Sequence, residues 1–353
     1  MTHSPSEEFD KSNIDSEKIK NAYLKRIASE KSKALSVSVM GQTGVGKSSL
    51  INALFGTQLK TDPVRPCTRE VETVEFFAGE RKLAFHDLPG IGESPHADIG
   101  YIKEYRRLIV ESDVVLWVLH ADSRSVVSDQ AALVKVLGNS KEANSKLISK
   151  LTFVLNKVDL IQASPWTLEP SGKYAYFNCS SDTDKLLALK AAYFRSQLTD
   201  KYASRTVSST YNGGEGVLEE PEFTFSQKVV EYHGMLSDKK LLELVEKYPK
   251  HSDLLDRLAD NYRVIPVSAR YKFNLSQLLS VIANKASESA IYRLDDFVDL
   301  REINRISLRE AVGFRGPRYK FGFWGFLSIL IHWLKFGRSW KEVSGGKETY
   351  AER

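Results

Sequence analysis

The sequence predicts an α/β fold built on a doubly wound, mostly parallel sheet. Short β-prone runs alternate along the chain with segments of helical periodicity, which is the pattern of strand–helix–strand units. Two runs, residues 114–119 and 151–155, are continuously apolar, as expected of strands that are covered on both faces. A glycine-rich turn also joins the first strand to the first helix. Because such sheets bind ligands at the carboxyl ends of their strands, we expect the functional residues there.

The individual elements follow from the local pattern of each segment. Apolar residues alternate with polar ones where a strand is expected and recur every three or four residues where a helix is expected. A glycine between two β-prone runs indicates a hairpin. The predicted elements are, in order, a strand at 34–40, a helix at 48–55, a β-hairpin at 71–77 and 83–86, a helix at 99–110, a strand at 114–119, a helix at 129–137, and strands at 151–155 and 264–267.

The chain divides into three predicted regions. Residues 1–33 are a charged leader, residues 34–290 contain the sheet, and residues 291–353 form a helical, aromatic and basic C-terminal region. The last two predicted strands are separated by more than a hundred residues, far more than a connection in a compact domain needs. We therefore predict a largely helical insertion at about 161–262, with one helix at 182–198.

Composition and charge predict the cellular compartment of the protein and the kind of surface that it contacts. The two cysteines, Cys67 and Cys179, are too few for a disulfide framework. The N-terminal residues are polar and acidic, unlike a secretory signal, so we expect a cytoplasmic protein. The formal net charge is +5, and residues 301–353 alone carry eleven lysines and arginines against five acidic residues. This basic excess indicates contact with an anionic surface, either lipid or nucleic acid, and the alternative is a solvated tail without a function.

A phosphate-binding motif lies between the first predicted strand and the first helix. Gly41-Gln-Thr-Gly-Val-Gly-Lys47-Ser48 has the required spacing of glycine, four residues and Gly-Lys-Ser/Thr. The glycines let backbone N–H groups surround a phosphate, and the helix N-terminus adds partial positive charge. Lys47 is expected to contact the β- and γ-phosphates, and the Ser48 hydroxyl to ligate Mg²⁺. The predicted phosphate-binding residues are Gly41, Gln42, Thr43, Gly44, Val45, Gly46, Lys47, Ser48 and Ser49.

Two further segments are expected to reach the γ-phosphate. The segment His86-Asp87-Leu-Pro-Gly90 ends a predicted strand, where Asp87 can hold the magnesium shell and the Gly90 N–H can meet the γ-phosphate. Thr68 lies in the loop before the hairpin and can bring a hydroxyl to the metal; Thr61 is the rival candidate. The predicted catalytic residues are Lys47, Thr68 and Gly90, and the predicted metal ligands are Ser48, Thr68 and Asp87.

A third motif predicts which base is bound. Asn156-Lys-Val-Asp159 follows the apolar strand at 151–155. Asp159 can accept two hydrogen bonds from the N1 and N2 edge of guanine, which adenine does not offer, so the nucleotide is expected to be GTP. Asn156 is expected to brace the phosphate loop, and the stem of Lys157 to cover the base. Ser268 and Ala269, after the last strand, are expected to supply backbone N–H groups to the guanine O6.

Together these motifs resemble the translation-factor-related class of P-loop GTPases, over about residues 34–160 and 263–285. Within that class, Gln42–Phe55, Cys67–Glu70 and Asp87–Ser94 are similar to the Era-related, YfjP-like bacterial GTPases. The last of these stretches also resembles the immunity-related GTPases of animals. The resemblance implies a G domain that binds GTP and GDP with Mg²⁺, hydrolyses GTP and acts as a switch.

One position departs from the pattern of many such enzymes. A glutamine that orients the attacking water follows the Asp-x-x-Gly motif in Ras-like members, but Ile91 occupies this position here. Some relatives use a potassium ion bound by a P-loop asparagine, and the matching residue here is Gly44. We therefore expect slow hydrolysis that is accelerated by a homodimer formed across the nucleotide face or by a partner. Glu93 and His96 are local candidates for assisting the reaction.

The C-terminal region suggests a contact surface and leaves three functions open. Residues 313–341 combine nine aromatic side chains with six basic ones and contain no acidic residue. Their apolar part is about 16 residues long, short of the roughly 20 that span a bilayer. Either an anionic membrane surface, with the protein peripheral at the inner face, or a protein contact fits this pattern, and RNA fits less well. The chain is thus expected to be a GTPase switch, with a GTP-dependent assembly scaffold or a ribosome-associated GTPase as alternatives.

Overall fold

A computed structural model describes residues 35–61, 68, 70–78, 81–91, 95–123, 126–138, 150–161, 165–199, 206–210, 218–226, 229–234, 236–285, 302–313 and 319–321. The helices are α1 (Lys47–Phe55), α2 (Pro95–Glu111), α3 (Val127–Leu137), α4 (Ser181–Leu198), α5 (Asp238–Lys247), α6 (Ser252–Asp260), α7 (Leu275–Lys285) and α8 (Leu308–Gly313). The strands are β1 (Leu35–Gly41), β2 (Glu72–Ala78), β3 (Arg81–Asp87), β4 (Val114–His120), β5 (Leu151–Asn156), β6 (Trp166–Ser171), β7 (Tyr174–Asn178), β8 (Thr206–Thr210), β9 (Phe223–Ser226), β10 (Val229–His233), β11 (Val264–Pro266), β12 (Ile306–Ser307) and β13 (Tyr319–Phe321).

Six strands form the central sheet in the order β11-β5-β4-β1-β3-β2. All neighbours in this sheet run parallel except β2 and β3, which form the predicted antiparallel hairpin. The predicted α/β fold with a mostly parallel sheet is therefore confirmed. Because β1, β3, β4 and β5 point in the same direction, the residues that follow them meet at one edge of the sheet.

Hydrophobic side chains fill both faces of the central sheet. On one face, Val39 of β1 belongs to a buried cluster with Leu50 of α1 and Ile282 of α7. On the other face, Trp117 of β4 belongs to a second buried cluster with Leu133 of α3. Helices thus cover the sheet on both sides, as a doubly wound fold requires.

The first part of the insertion differs from the prediction of a largely helical segment. The predicted helix at 182–198 is present as α4, but the hairpin β6–β7 precedes it and pairs with β12 and β13 in a four-stranded sheet. Trp166 and Phe177 of this hairpin join the same buried cluster as Trp117. This part of the insertion therefore shares the core of the central domain.

The second part of the insertion has a core of its own. Strands β8, β10 and β9 form an antiparallel sheet against α5 and α6. Val230 and Tyr232 of β10 cluster there with Leu244 of α5 and Leu255 of α6. The strands of the insertion are only four to six residues long, and apolar runs of that length are ambiguous between helix and strand. That ambiguity explains why the insertion was predicted to be largely helical and its strands were not predicted.

The C-terminal region was predicted to be helical, but its described part contains strands as well as a helix. It contains the short helix α8, but β12 pairs with β7 and β13 pairs in parallel with β6. The prediction failed here because these strands are two and three residues long and are defined by their partners in the insertion. Within the described ranges, no helix has both the length and the apolar character to cross a membrane. The leader, and residues 322–353 with most of the aromatic run, lie outside the described residues.

Lys150 anchors the carboxyl end of α2. Its Nζ donates to the carbonyl oxygens of Val110 and Ser112, each at 2.8 Å, and of Ile109 at 3.3 Å. These carbonyls lack partners within the helix, and a cation at this end also complements the helix dipole. Partial burial lowers the pKa of Lys150. The side chain therefore sets where α2 ends relative to β5.

Replacing Lys150 with methionine is expected to lower the free energy of unfolding by about 1 to 3 kcal/mol, because hydrogen bonds from a charged donor are lost while the carbonyls stay half-buried. Urea denaturation followed by circular dichroism measures the change. The control is Lys103→Met, which removes an exposed lysine from the same helix. Equal unfolding free energies for the two variants would contradict this role of Lys150.

Candidate functional site

The glycine-rich turn has the geometry of a phosphate loop. β1 ends at Gly41, and α1 begins at Lys47 directly after Gly46, which has a left-handed backbone with φ of 89°. Gly44 is also left-handed, with φ of 80°. A Cβ at Gly41 would lie 2.3 Å from the carbonyl oxygen of Val118, so only glycine fits there. The chain thus delivers the N-terminus of α1 to the carboxyl edge of the sheet.

Lys47 lies along the inside of this loop. Only 7% of the residue is exposed, and its Nζ is 3.2 Å from the carbonyl oxygen of Gln42 and 3.4 Å from that of Gly41. Backbone acceptors therefore hold its ammonium group over the loop, where a positive charge favours binding of an anion. The other predicted loop residues occupy the same turn, with Thr43 and Gly44 exposed, Val45 buried, and Ser48 and Ser49 half-buried in the first turn of α1.

Three oxygen-bearing side chains converge beside the loop. The Ser48 hydroxyl donates to Asp87 Oδ2 at 2.5 Å, and the Thr68 hydroxyl donates to the same oxygen at 3.2 Å. Ser48 Oγ and Thr68 Oγ1 are 3.4 Å apart. Thr68 is buried, whereas its rival Thr61 is exposed. The structure therefore places Thr68, and not Thr61, with the two other predicted metal ligands.

This cluster suits a magnesium ion. Asp87 is fully buried, and its Oδ1 atom has no hydrogen-bond partner, which is a costly arrangement unless a cation or donor completes it. Burial raises the pKa of Asp87, while hydrogen bonds from Ser48 and the charge of Lys47 oppose the rise. No group of three or more His, Cys, Asp or Glu able to hold a metal occurs among the described residues. Mg²⁺ takes few protein oxygens and keeps phosphate and water oxygens, so hydroxyls with one carboxylate fit it.

The Asp-Leu-Pro-Gly segment is pressed against the phosphate loop. A Cβ at Gly90 would lie 2.5 Å from the backbone N and Cα of Thr43. The Thr43 N–H donates to the carbonyl of Ile91 at 3.2 Å, and the Ile91 N–H donates to the carbonyl of Gly41 at 3.3 Å. Gly90 therefore packs directly against the backbone of the turn at Thr43.

Ile91 faces the interior of the domain. It is 8% exposed and belongs to the buried cluster that includes Trp117 and Leu133. Its side chain thus serves packing and presents no group to a phosphate. Glu93 lies outside the described residues, and His96 lies in α2 with a side chain that is not among those described.

The predicted base-binding residues come together after β5 and β11. Asp159 is buried, and its Oδ1 accepts a hydrogen bond from the Ser268 hydroxyl at 2.7 Å. Asn156 Nδ2 donates to the carbonyl of Val45 at 2.9 Å, so this side chain does brace the phosphate loop. Lys157 has a left-handed backbone, and its Nζ donates to the carbonyl of Gly44 at 2.5 Å. These contacts join the base-binding segment to the phosphate loop.

The prediction for Ser268 and Ala269 is changed by the structure. The Ser268 N–H donates to the carbonyl of Phe273 at 3.2 Å, so it is engaged in the turn and unavailable to a base. The Ala269 N–H donates to Asn156 Oδ1 at 3.2 Å and would have to exchange that acceptor for the guanine O6. Ser268 acts instead through its hydroxyl, which holds Asp159.

The sequence analysis missed a buried network behind the loop. Asp129, in the first turn of α3, accepts from Gln42 Nε2 at 2.5 Å and from the indole N–H of Trp117 at 3.0 Å. Burial raises the pKa of Asp129, and these two hydrogen bonds oppose the rise. An acidic residue in the first turn of a helix is common, so the sequence contained no distinctive signal for this contact.

Comparison with known proteins supports the interpretation of the glycine-rich turn as the phosphate loop of a GTPase. Residues 36–157 match a family described as 50S ribosome-binding GTPase. Two Escherichia coli K12 proteins, YkfA and YfjP, are 37% and 35% identical over 124 residues, which cover 35% of this chain and 41% of each relative. GTPase Era of Carboxydothermus hydrogenoformans is 28% identical over 129 residues, 36% of this chain and 40% of Era. The match thus spans less than half the length of these relatives.

A solved structure of Era from Aquifex aeolicus, bound to GDP and aluminium fluoride, overlaps this chain with a TM-score of 0.37 and 17% identity. The overlap covers 75% of this chain and 57% of that one. The segment that matches the family model, residues 36–157, includes the phosphate loop, Thr68, Asp87, Gly90 and Asn156. Residues 36–157 of this chain are therefore similar in sequence to a P-loop GTPase domain, and the described part of this region has the phosphate loop and parallel sheet expected of one.

Proposed function

We propose that the chain is a GTP-dependent molecular switch whose own hydrolysis of GTP is slow and is stimulated by a second copy of the chain or by a partner. The observation that carries the proposal is the convergence of Ser48, Thr68 and Asp87 beside the phosphate loop. Thr68 is 20 residues from Ser48 and 19 residues from Asp87 along the chain, so their meeting depends on the path of the segment that carries Thr68. A metal and γ-phosphate bound there would hold this loop, and their loss would release it.

Each residue has a stated role in this proposal. Ser48, Thr68 and Asp87 hold Mg²⁺, which neutralises charge on the phosphates when it is bound. Lys47 binds the β- and γ-phosphates, and the Gly90 N–H donates to the γ-phosphate. Asp159 selects guanine. The support for these roles is the position of each group at one edge of the central sheet.

Slow hydrolysis follows from the same geometry. A GTPase needs a group that orients the attacking water, and Ile91, which occupies the usual position of that group, packs into the hydrophobic core. The described part of the site presents no glutamine in its place, since Gln42 donates to Asp129. A water-orienting or charge-stabilising group supplied by another protein molecule would complete the site.

The proposal is tested by measuring GTP turnover per molecule of the full chain over a wide range of protein concentration. We expect turnover to be slow in dilute solution and to rise with concentration, or on addition of a partner. Fast turnover that is independent of concentration would contradict the proposed dependence on a second molecule. Light scattering with GDP and with a non-hydrolysable GTP analogue distinguishes the alternative of an assembly scaffold, which would assemble with the analogue but never hydrolyse GTP.

A role at the ribosome is the second candidate function. It is favoured by the description of the family that residues 36–157 match, which is 50S ribosome-binding GTPase. The net charge of +5 is compatible with binding to RNA. In the same turnover assay, stimulation by isolated 50S subunits, but not by an equal concentration of an unrelated RNA, would identify the ribosome as the partner.

A further inference from the structure

Tyr105 links the phosphate loop to the segment that follows β3. It lies on α2, is fully buried, and packs edge-on against Trp117 with ring centroids 6.1 Å apart. Its hydroxyl is 2.8 Å from the carbonyl oxygen of Pro89 and 3.2 Å from both the backbone N and the carbonyl oxygen of Gly41. The hydroxyl accepts from the Gly41 N–H, and the shorter of its two possible donor contacts is the one to Pro89.

Packing alone does not explain this hydroxyl. A phenylalanine would fill the same space against Trp117, and a buried hydroxyl lowers stability unless it is hydrogen-bonded. The three groups that it contacts all belong to the backbone on the nucleotide side of the sheet. The hydroxyl therefore acts on the backbone there, and its shortest contact is with Pro89.

The carbonyl of Pro89 and the N–H of Gly90 belong to one peptide group. That peptide is trans, and in a planar trans peptide the C=O and the N–H point in opposite directions. A hydrogen bond that holds the Pro89 carbonyl toward Tyr105 therefore also fixes the direction of the Gly90 N–H. Gly90 is the residue that abuts the phosphate loop at Thr43.

We propose that Tyr105 is a positioning residue that orients the Gly90 N–H toward the γ-phosphate and thereby makes the site discriminate GTP from GDP. This inference rests on the proposed GTP site and assigns the control of one of its donors. GDP lacks the γ-phosphate, so the Tyr105 hydroxyl matters little for GDP binding.

The test compares two full-length variants, Tyr105→Phe and Tyr262→Phe. Tyr262 is the matched control, because it is also buried and donates to a backbone carbonyl, that of Gly234, within the separate core of the insertion. The dissociation constants of GDP and of a non-hydrolysable GTP analogue are measured for each with Mg²⁺. For Tyr105→Phe we expect the analogue to bind about fivefold more weakly while GDP binding is unchanged. For Tyr262→Phe both constants should match those of the unmodified protein.

The possible results separate this inference from the function on which it rests. If the unmodified protein binds neither guanine nucleotide, the proposed function fails. If it binds both and Tyr105→Phe keeps the same ratio of the two affinities, or loses both equally, the inference fails. Introducing p-aminophenylalanine at position 105 is the second variant. It keeps the ring and a donor, so it should restore the ratio, and failure of that restoration also overturns the inference.

Discussion

Replacing Asp159 with asparagine is expected to weaken GTP binding by about 10²- to 10³-fold and to create binding of xanthosine triphosphate. The carboxylate accepts from both N1–H and N2–H of guanine, and hydrogen bonds to a charged group contribute about 1.5 to 3 kcal/mol each. An asparagine amide would face the guanine amino group donor to donor. Xanthine carries a carbonyl at C2, which accepts from the amide instead, so the specificity should change along with the affinity.

The substitution Asp159→Asn should leave the local fold intact. Asp159 Oδ1 accepts from the Ser268 hydroxyl, and the amide oxygen of an asparagine can accept the same hydrogen bond. The local fold should therefore survive, with the amide nitrogen turned toward the base. Titration with fluorescent GTP and xanthosine triphosphate measures both affinities, with exposed Asp182→Asn as the control. Unchanged GTP affinity in Asp159→Asn would show that guanine is bound elsewhere.

Replacing Lys47 with alanine is expected to weaken binding of both GTP and GDP by about 100-fold or more. The ammonium group is held over the loop by the carbonyls of Gln42 and Gly41, where it would form charge-assisted hydrogen bonds with the β- and γ-phosphates. Its loss removes the ammonium group from the phosphate loop and leaves the phosphate charges to the uncharged donors there. The dissociation constants are measured by fluorescence titration with Mg²⁺.

The Lys47 prediction has a simple control. Lys60→Ala removes an exposed lysine shortly after α1 and lowers the net charge by the same amount. If the two variants bind nucleotide with the same affinity, general electrostatic attraction and not a specific contact accounts for the role of Lys47. Thermal unfolding of both variants without nucleotide checks that the loop region still folds.

The elements of the central sheet could be predicted because their patterns are local. The strand at 34–40, the helix at 48–55 and the apolar run at 151–155 correspond to β1, α1 and β5 within one or two residues. Apolar periodicity and glycine spacing are sufficient for such segments. The strands of the insertion were missed because they are short, and two of them, β6 and β7, also pair with β13 and β12 far along the chain.

Some residues of the candidate site could likewise be predicted from the sequence, and others could not. Asp87 and Asn156 could be placed because each ends a strand of a parallel sheet, and such ends share one edge. Tyr105 could not, since its hydroxyl meets Gly41 across 64 residues and one tyrosine in a helix looks like any other core residue. Asp129 was missed for the same reason, because its contact with Gln42 spans 87 residues.

The sequence by itself was sufficient to predict the chemistry proposed for this protein: a glycine-rich loop with Lys47 for phosphates, hydroxyls and one carboxylate for a hard cation, and Asp159 for guanine. These assignments depend on residue type and on short spacings, which the printed sequence contains in full. The tertiary structure decided that Thr68 and not Thr61 meets Asp87, that the Ser268 N–H is already engaged, and that Ile91 turns into the core. Hydrogen bonds have to close to about 3 Å, and only the packing of distant elements determines which groups come that close.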